Sequence, residues 1–283
     1  LNTINKLIKQ ALEEDLGDGD HSSLASIPLE KKGGAKLLVK DRGIIAGVEI
    51  ASLIFKQVDL NCQLSFNFRD GDFVQNGDVV FTVEGSMHSI LKAERLVLNF
   101  MQRMSGIATH TNHLTHLLQG LPTKLLDTRK TTPNFRLFEK MAVKIGGGEN
   151  HRFGLYDMIM LKDNHIDFAG GIAAAIEQAR EYIRNKELDL KLEVEARNLK
   201  EVKEILRVGQ VDRIMLDNFN YSDLKKAVEL IGNQAETEAS GGIDEDTILE
   251  YAQCGVDYIS VGALTHQIKS LDLSLKAISW LKS

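Results

Sequence analysis

The sequence predicts an α/β protein in two parts: a β-rich N-terminal region with helices, then an incomplete barrel of βα units. The clearest observation is a rhythm after Gly120. Apolar strands recur at TKLLDT, DMIMLKD, KLEVEA, DRIMLDN, AETEAS and DYISVGA, about 20 to 35 residues apart. Between them lie amphipathic helical stretches such as Gly170–Ile183, Leu199–Val208 and Asp223–Ile231, the pattern of parallel βα repeats. A second observation is the length of this repeat. Six strands occupy about 140 residues, well short of the ~250 typical of eight units, so the barrel is expected to be smaller or incomplete.

The opening helix is read from Leu1, Ile4, Leu7, Ile8, Ala11 and Leu12 on one face. It should stop near Gly17. Asp15, Asp18 and Asp20 follow, but a calcium loop needs a sixth-position Gly and a twelfth-position Glu, so a turn is expected. From Ala35 to Val83 the strands AKLLVKD, GIIAG, QLSFNF and VVFTVEG surround a helix from Val48 to about Val58. RDGDFVQNGDVV carries Asp-Gly and Asn-Gly signals and reads as a hairpin. Lipoyl and biotinyl carriers share that pattern but need a Lys at the tip, and none occurs between Lys56 and Lys92. A helix from about Ser89 to Leu118 follows, with Arg95, Asn99 and Gln102 on a polar face and Gly106 as a possible break. His110, His113 and His116 repeat every third residue with no carboxylate nearby, a spacing that favours a solvated face over a metal site. Leu271–Ser283 reads as a final helix.

The 283 residues carry a net charge of −6, which disfavours general binding to nucleic acid or anionic membranes. Two cysteines without a CxxC motif offer neither a disulfide scaffold nor a zinc site, and fit a reducing cytoplasm. No apolar run is long enough to span a bilayer and no signal-peptide pattern opens the given sequence.

Against that acidic background, Leu126–His165 gathers seven Lys or Arg, two His and three consecutive Gly. Such a segment reads as part of an anion site. The strand ends supply the rest: Asp127-Thr128-Arg129, Lys162-Asp163, Glu195, Asp217-Asn218, Ser240-Gly241-Gly242 and Ser260-Val261-Gly262. Working residues of βα barrels stand at these ends, and phosphate is often held on the last two loops. Those loops are Gly-rich here, as a cradle of backbone N–H groups requires. Arg129, Lys130, Arg152 and Lys162 could clamp carboxylates or phosphates, and His151 adds a donor of adjustable charge. Glu195 and Asp217, on successive strands, could hold Mg²⁺, accept sugar hydroxyls, or pair with the cations. There is no nucleophile elbow and no HExxH. The inventory suits chemistry by positioning and electrostatics, such as transfer of a phosphorylated sugar to an anionic acceptor.

The stretch LDTRKTTP…GGGENHRFGLYDMIMLKDNH resembles the quinolinate phosphoribosyltransferase family. The likeness extends through ALEEDLGDGD, ERLVLNFMQRMSGIAT, LEVEARNL, IMLDNF, EASGGI and ISVGALTH, in order over nearly the whole chain. Asn134-Phe135 and Gln267 depart from the commoner residues, away from the expected chemistry.

This resemblance implies transfer of phosphoribosyl from phosphoribosyl pyrophosphate to quinolinate with decarboxylation, yielding nicotinate mononucleotide, pyrophosphate and CO₂, with Mg²⁺ required. It implies an N-terminal α/β sandwich domain (1–105, rejoined by 268–283) and an incomplete TIM-like α/β barrel (106–267). It further implies a cytoplasmic homodimer with shared sites. By position, Arg129, His151, Arg152 and Lys162 would bind quinolinate with help from Thr128, and Arg95 would reach the pocket from the partner. Lys130 would support the substrate anions, including phosphate, and act with Lys162, Glu195 and Asp217 in catalysis. Glu195 and Asp217 would hold ribose hydroxyls and Mg²⁺, while Ser240, Gly241, Gly242 and Gly262 would cradle the 5′-phosphate. The alternatives are a paralogous phosphoribosyltransferase for another pyridine or aromatic acid, and a non-catalytic module that binds phosphorylated ligands.

Overall fold

Ile8 and Leu12, one helical turn apart, are the buried stripe of α1 (Asn2–Leu16). In the computed structural model, which describes residues 2–278, α1 ends at Gly17, whose φ of +49° suits a helix terminus. The acidic loop is a cap: the Asp20 carboxylate accepts the Ser23 N–H at 3.1 Å and the Ser23 hydroxyl, opening α2 (His21–Ser26).

Strands β1 (Lys32–Val39) and β2 (Gly43–Ile44), helix α3 (Val48–Val58), then β3 (Gln63–Phe66), β4 (Phe73–Val74) and β5 (Val79–Ser86) follow. β5 runs antiparallel between β1 and β3. The expected hairpin around Asn76-Gly77 does not form. β4 pairs with β2 and β5 with β1 and β3, so the backbone edges of each go to strands more distant in sequence. Phe55 of α3 meets Phe81 of β5 edge to face at 6.1 Å, and both are fully buried, each contributing roughly 1.5–3 kcal/mol of burial.

Helix α4 (Met87–Leu117) passes through Gly106 without interruption. That glycine serves a close approach instead: a Cβ there would lie 2.4 Å from the Lys269 carbonyl oxygen. The side-chain amide of Gln102 donates to the Leu273 carbonyl at 3.0 Å. These contacts seat the returning chain end.

Beyond α4 come β6 (Lys124–Leu126), α5 (Arg136–Ile145), β7 (Ile159–Leu161), α6 (Asp163–Ala169), α7 (Ile172–Asn185), β8 (Leu192–Ala196) and α8 (Leu199–Val208). Then follow β9 (Arg213–Asp217), α9 (Tyr221–Ile231), β10 (Glu236–Ser240), α10 (Ile248–Ala252), β11 (Tyr258–Ser260), α11 (Ala263–His266) and β12 (Leu273–Ile278). The last is a correction to the expected helix. Leu271, Leu273 and Leu275 are buried in alternation with polar residues, a period of two, and β12 pairs antiparallel with β1. Residues 279–283 of the expected helix lie outside the described residues.

The chain divides into two compact units. The first holds the N-terminal segment to Asn112, the segment Thr132–Gly147 and the C-terminal segment from Gln267; the second holds His113–Thr131 and Gly148–His266. α5 therefore sits in the first unit, although the sequence reading places it in the barrel range. Packing explains this. Phe135 and Phe138 stack on Phe100 at 4.9 and 4.7 Å, and the buried Glu139 accepts Arg103 at 2.8 Å. Lys140, one of the seven cations of the Leu126–His165 segment, is 1% exposed.

The second unit is a parallel sheet in the order β6-β11-β10-β9-β8-β7. Consecutive strands pair all the way round except β6 with β7; Leu126 of β6 forms a single parallel bridge to Glu149, in the segment that precedes β7. It is an α/β barrel with one open seam. Leu192, Val194 and Ala196 on β8, and Ile214 and Leu216 on β9, form the apolar face covered by helices. Among the described residues, no helix is long and apolar enough to cross a membrane.

Candidate active site

The opposite face of the barrel strands is polar. Residues two apart share a strand face, which groups Glu193 with Glu195, Arg213 with Met215 and Asp217, and Glu236 with Glu238 and Ser240. Glu193 and Glu238 meet across the intervening β9, which requires the concave side. Glu195, Asp217 and Ser240 thus stand at the C-terminal mouth, and Glu193, Arg213 and Glu238 lie deeper.

At the mouth, the Lys162 ammonium is 3.2 Å from a Glu195 carboxylate oxygen. The pairing of Glu195 with a cation, one of the three options open from sequence, is therefore present. Asp217 accepts the Asn218 side-chain amide at 2.7 Å, and the Asn218 N–H donates to the Ser240 carbonyl at 2.9 Å. Asn218 itself takes a left-handed φ of 55°, a conformation that Asn tolerates better than most residues. Gly241 packs against it so tightly, at φ +104°, that a Cβ would lie 2.3 Å from the Asn218 side-chain oxygen. Gly242, at φ +63°, faces open space. This loop leaves backbone accessible at the mouth, as a phosphate cradle requires.

Gly262 is the second close approach: a Cβ would meet the Lys130 side chain at 3.0 Å and the His266 ring at 3.1 Å. The Thr265 hydroxyl donates to the Lys130 carbonyl at 2.7 Å. Lys130 is thereby brought beside the last Gly loop. His266, which the sequence reading passed over, stands with it. Thr128 accepts the Lys130 N–H through its hydroxyl at 3.1 Å, turning the Thr128-Arg129-Lys130 loop.

The Arg152 guanidinium donates to the Met158 carbonyl at 3.2 Å. Its pKa is lowered, first by burial and then by the neighbouring Arg129 cation. A second cation that disfavours the charge on Arg152 makes a bound anion electrostatically welcome there. Arg95 is an exposed residue of α4 in the first unit.

His151 is placed differently from the substrate-facing position expected of it. Its ring is 4% exposed, with Nε2 3.0 Å from Glu193 and 3.2 Å from Glu238. Its Nδ1 accepts the Arg152 N–H at 2.7 Å, and its own N–H donates to the buried Asp127 carboxylate at 2.8 Å. Below this lies Arg213, which donates to Glu238 at 3.0 Å and to Glu236 at 3.0 Å, with its guanidinium 4.0 Å over the Tyr258 ring. Burial opposes a charge on His151 and the two carboxylates favour it, while the 2.7 Å bond from the Arg152 N–H to Nδ1 is that of a neutral ring with its proton on Nε2. Burial and the adjacent Glu238 raise Glu193. For Glu238, burial is outweighed by His151 and Arg213, and its pKa is lowered.

Sequence reading missed Glu193, Arg213 and Glu238 because it weighed strand ends. The signal was there in LEVEA and ETEAS, where an acid sits two residues before each chosen end residue. Of the His110, His113 and His116 repeat, His113 pairs with Glu245 at 3.3 Å. For Mg²⁺, the oxygen donors of Glu195 and Asp217 fit a hard cation. They share the concave face near the Gly loops.

An open-seamed βα barrel that joins a glycine cradle, mouth carboxylates and paired guanidinium groups has the make-up of a phosphoribosyl-transferring enzyme. Residues 20–105 match the N-terminal domain model of quinolinate phosphoribosyl transferase, and residues 107–276 its C-terminal domain model. The chain is 46% identical to the chloroplastic nicotinate-nucleotide pyrophosphorylase [carboxylating] of Arabidopsis thaliana, covering 96% of this chain and 82% of that one. It is 41% identical to the probable nicotinate-nucleotide pyrophosphorylase [carboxylating] of Bacillus subtilis, covering 96% and 92%. The crystal structure of NadC from Streptococcus pyogenes superposes with a TM-score of 0.91 at 41% identity, covering 98% of this chain and 97% of that one. The chain belongs to the quinolinate phosphoribosyltransferase family, and is a pentosyltransferase of pyridine nucleotide biosynthesis.

Proposed function

We propose that this chain transfers the phosphoribosyl group of phosphoribosyl pyrophosphate to the ring nitrogen of quinolinate, with loss of the 2-carboxylate as CO₂, giving nicotinate mononucleotide and pyrophosphate. The observation that supports this reading is the Lys162–Glu195 pair on the strand ends that also carry the Gly241-Gly242 loop, together with the Arg129 cation acting on the partly buried Arg152. A diacid needs more cations than a monoacid, and the mouth supplies them beside a phosphate cradle. Arg129, Arg152 and Lys162 hold the carboxylates with Thr128. Lys130 with Ser240, Gly241, Gly242 and Gly262 holds the 5′-phosphate. Glu195 and Asp217 accept the ribose hydroxyls and steady positive charge as it develops on the sugar.

Mg²⁺, held by the same two carboxylates directly or through substrate, would neutralise the pyrophosphate leaving group. Once the ring nitrogen is joined to the sugar its positive charge stabilises the carbanion left by decarboxylation, so CO₂ release follows attachment. The same proposal includes a homodimer in which Arg95 reaches the pocket of the second copy, and a cytoplasmic site of action. The two cysteines, both free, fit a reducing compartment.

Product analysis with quinolinate, phosphoribosyl pyrophosphate and Mg²⁺ tests the reading. Equal release of CO₂ and nicotinate mononucleotide is expected. Preferential use of nicotinate would point to the paralogous reading, and labelled CO₂ released without phosphoribosyl pyrophosphate would overturn the order of steps.

A further inference from the structure

Barrel interiors are ordinarily filled by layers of branched apolar side chains. Here the layer beneath the mouth is ionic. Glu193 and Glu238 are 0% exposed, His151 is 8% exposed and Arg213 is 7% exposed. Burying carboxylates costs stability that an apolar layer would not, so a function for the layer is worth seeking. With its Nδ1 accepting the Arg152 N–H, His151 keeps its single ring proton on Nε2, the nitrogen that faces the two carboxylates.

The contacts run from this layer to the mouth. Glu193 and Glu238 face His151 Nε2 at ion-pair distances of 3.0 and 3.2 Å from two strands that are not neighbours. Arg213 fixes Glu238 from below. Asp127 fixes the His151 backbone, and His151 Nδ1 accepts the backbone N–H of Arg152. Arg152 then turns its guanidinium against Met158. We infer that Glu193 and Glu238 are positioning residues for acid recognition: through His151 they set the direction from which Arg152 meets a substrate carboxylate. The inference rests on reading the mouth as a diacid pocket.

The same three side chains are of types that ligate divalent cations, and their donor atoms lie within 4.8 Å of one another. A metal centre is disfavoured on geometry. Arg213 Nη1 already stands 3.0 Å from the Glu238 oxygen that faces His151, so a bound ion would meet a guanidinium at hydrogen-bond distance.

The test uses full-length Glu193→Gln and Glu238→Gln, with Met215→Leu, buried on the same strand face, as a packing control. A misplacement of about 1 Å caused by a mutation away from the chemistry can cost on the order of 100-fold. The expected result is a KM for quinolinate raised about tenfold or more while that for phosphoribosyl pyrophosphate holds within about twofold, and a control like the parent. Equal changes in both KM values, or none, would overturn the proposal. So would a stoichiometric bound metal that Glu238→Gln releases. NMR of ¹⁵N-histidine protein supplies a readout independent of turnover. The parent should show an exchange-protected His151 Nε2–H that shifts in Glu193→Gln, together with a shifted Arg152 side-chain resonance. An unmoved Arg152 signal would sink the inference even if quinolinate proved not to be the substrate. An inactive parent with the Arg152 shift would instead sink only the assigned reaction.

Discussion

Removing Arg213 should expose the cost of the ionic layer. In Arg213→Met the bulk of the side chain is largely kept, but Glu238 loses a donor at 3.0 Å, Glu236 loses its bonds at 3.0 and 3.3 Å, and Tyr258 loses the cation over its ring. Glu236 is partly exposed and can be resolvated, whereas Glu238 is 0% exposed. The loss is therefore governed by one buried carboxylate left short of a counter-charge, at ~3–5 kcal/mol. With ~2–4 °C per kcal/mol for a domain of this order of size, the transition of the barrel unit should fall by ~6–20 °C. Calorimetric melting at pH 7 and 8 would measure it. The companion Arg213→Met/Glu238→Leu should recover most of the loss, because no buried charge is then orphaned.

The pH dependence has a definite sign. With Arg213 present, the Glu238 carboxyl titrates below its ordinary 4.5 and stabilises the fold above that value, an effect lost on acidification. Without Arg213 its folded pKa rises, so the carboxylate destabilises at neutral pH and the penalty is relieved as pH falls. The gap between variant and parent should narrow from pH 8 towards pH 5. A melting shift below ~3 °C, or a gap that widens on acidification, would refute the reasoning.

Gly241→Ala should raise the KM for phosphoribosyl pyrophosphate by about tenfold or more, since a Cβ only 2.3 Å from Asn218 must displace the loop and small misplacements at a site are costly. Gly242→Ala, which meets no atom within 4 Å, should show the milder effect, and steady-state kinetics would compare the two. Mixing inactive Arg95→Ala and Arg129→Ala subunits should restore one intact site per mixed dimer; no recovery after verified subunit exchange would refute the shared site. Cys62, whose thiol is pushed up to about 11 by burial and then by Asp59, should react slowly with iodoacetamide at pH 7.5 and quickly once the chain is unfolded.

The sequence by itself determined the βα rhythm, the open-ended count of six strands and the chemistry of the strand ends. These are local properties: apolar runs of strand length, helical periodicity, and glycines at turns that need them. The placement of Lys162, Glu195, Asp217 and Ser240 to Gly242 at strand ends, and of Lys130 in the loop after β6, was legible for that reason. Tertiary structure decided what depends on a partner distant in sequence. Gly106 looked like a helix break and is a seat for the Lys269 backbone. The final segment looked helical until β1 offered it an edge. The basic stretch at Leu126–His165 separated only in three dimensions, with Lys140 buried in the first unit, Arg152 turned to the Met158 carbonyl and His151 turned inward to Glu193 and Glu238. Period-two strands hide this distinction, because Glu193 and Glu195 look alike in sequence and differ only in their depth within a closed sheet.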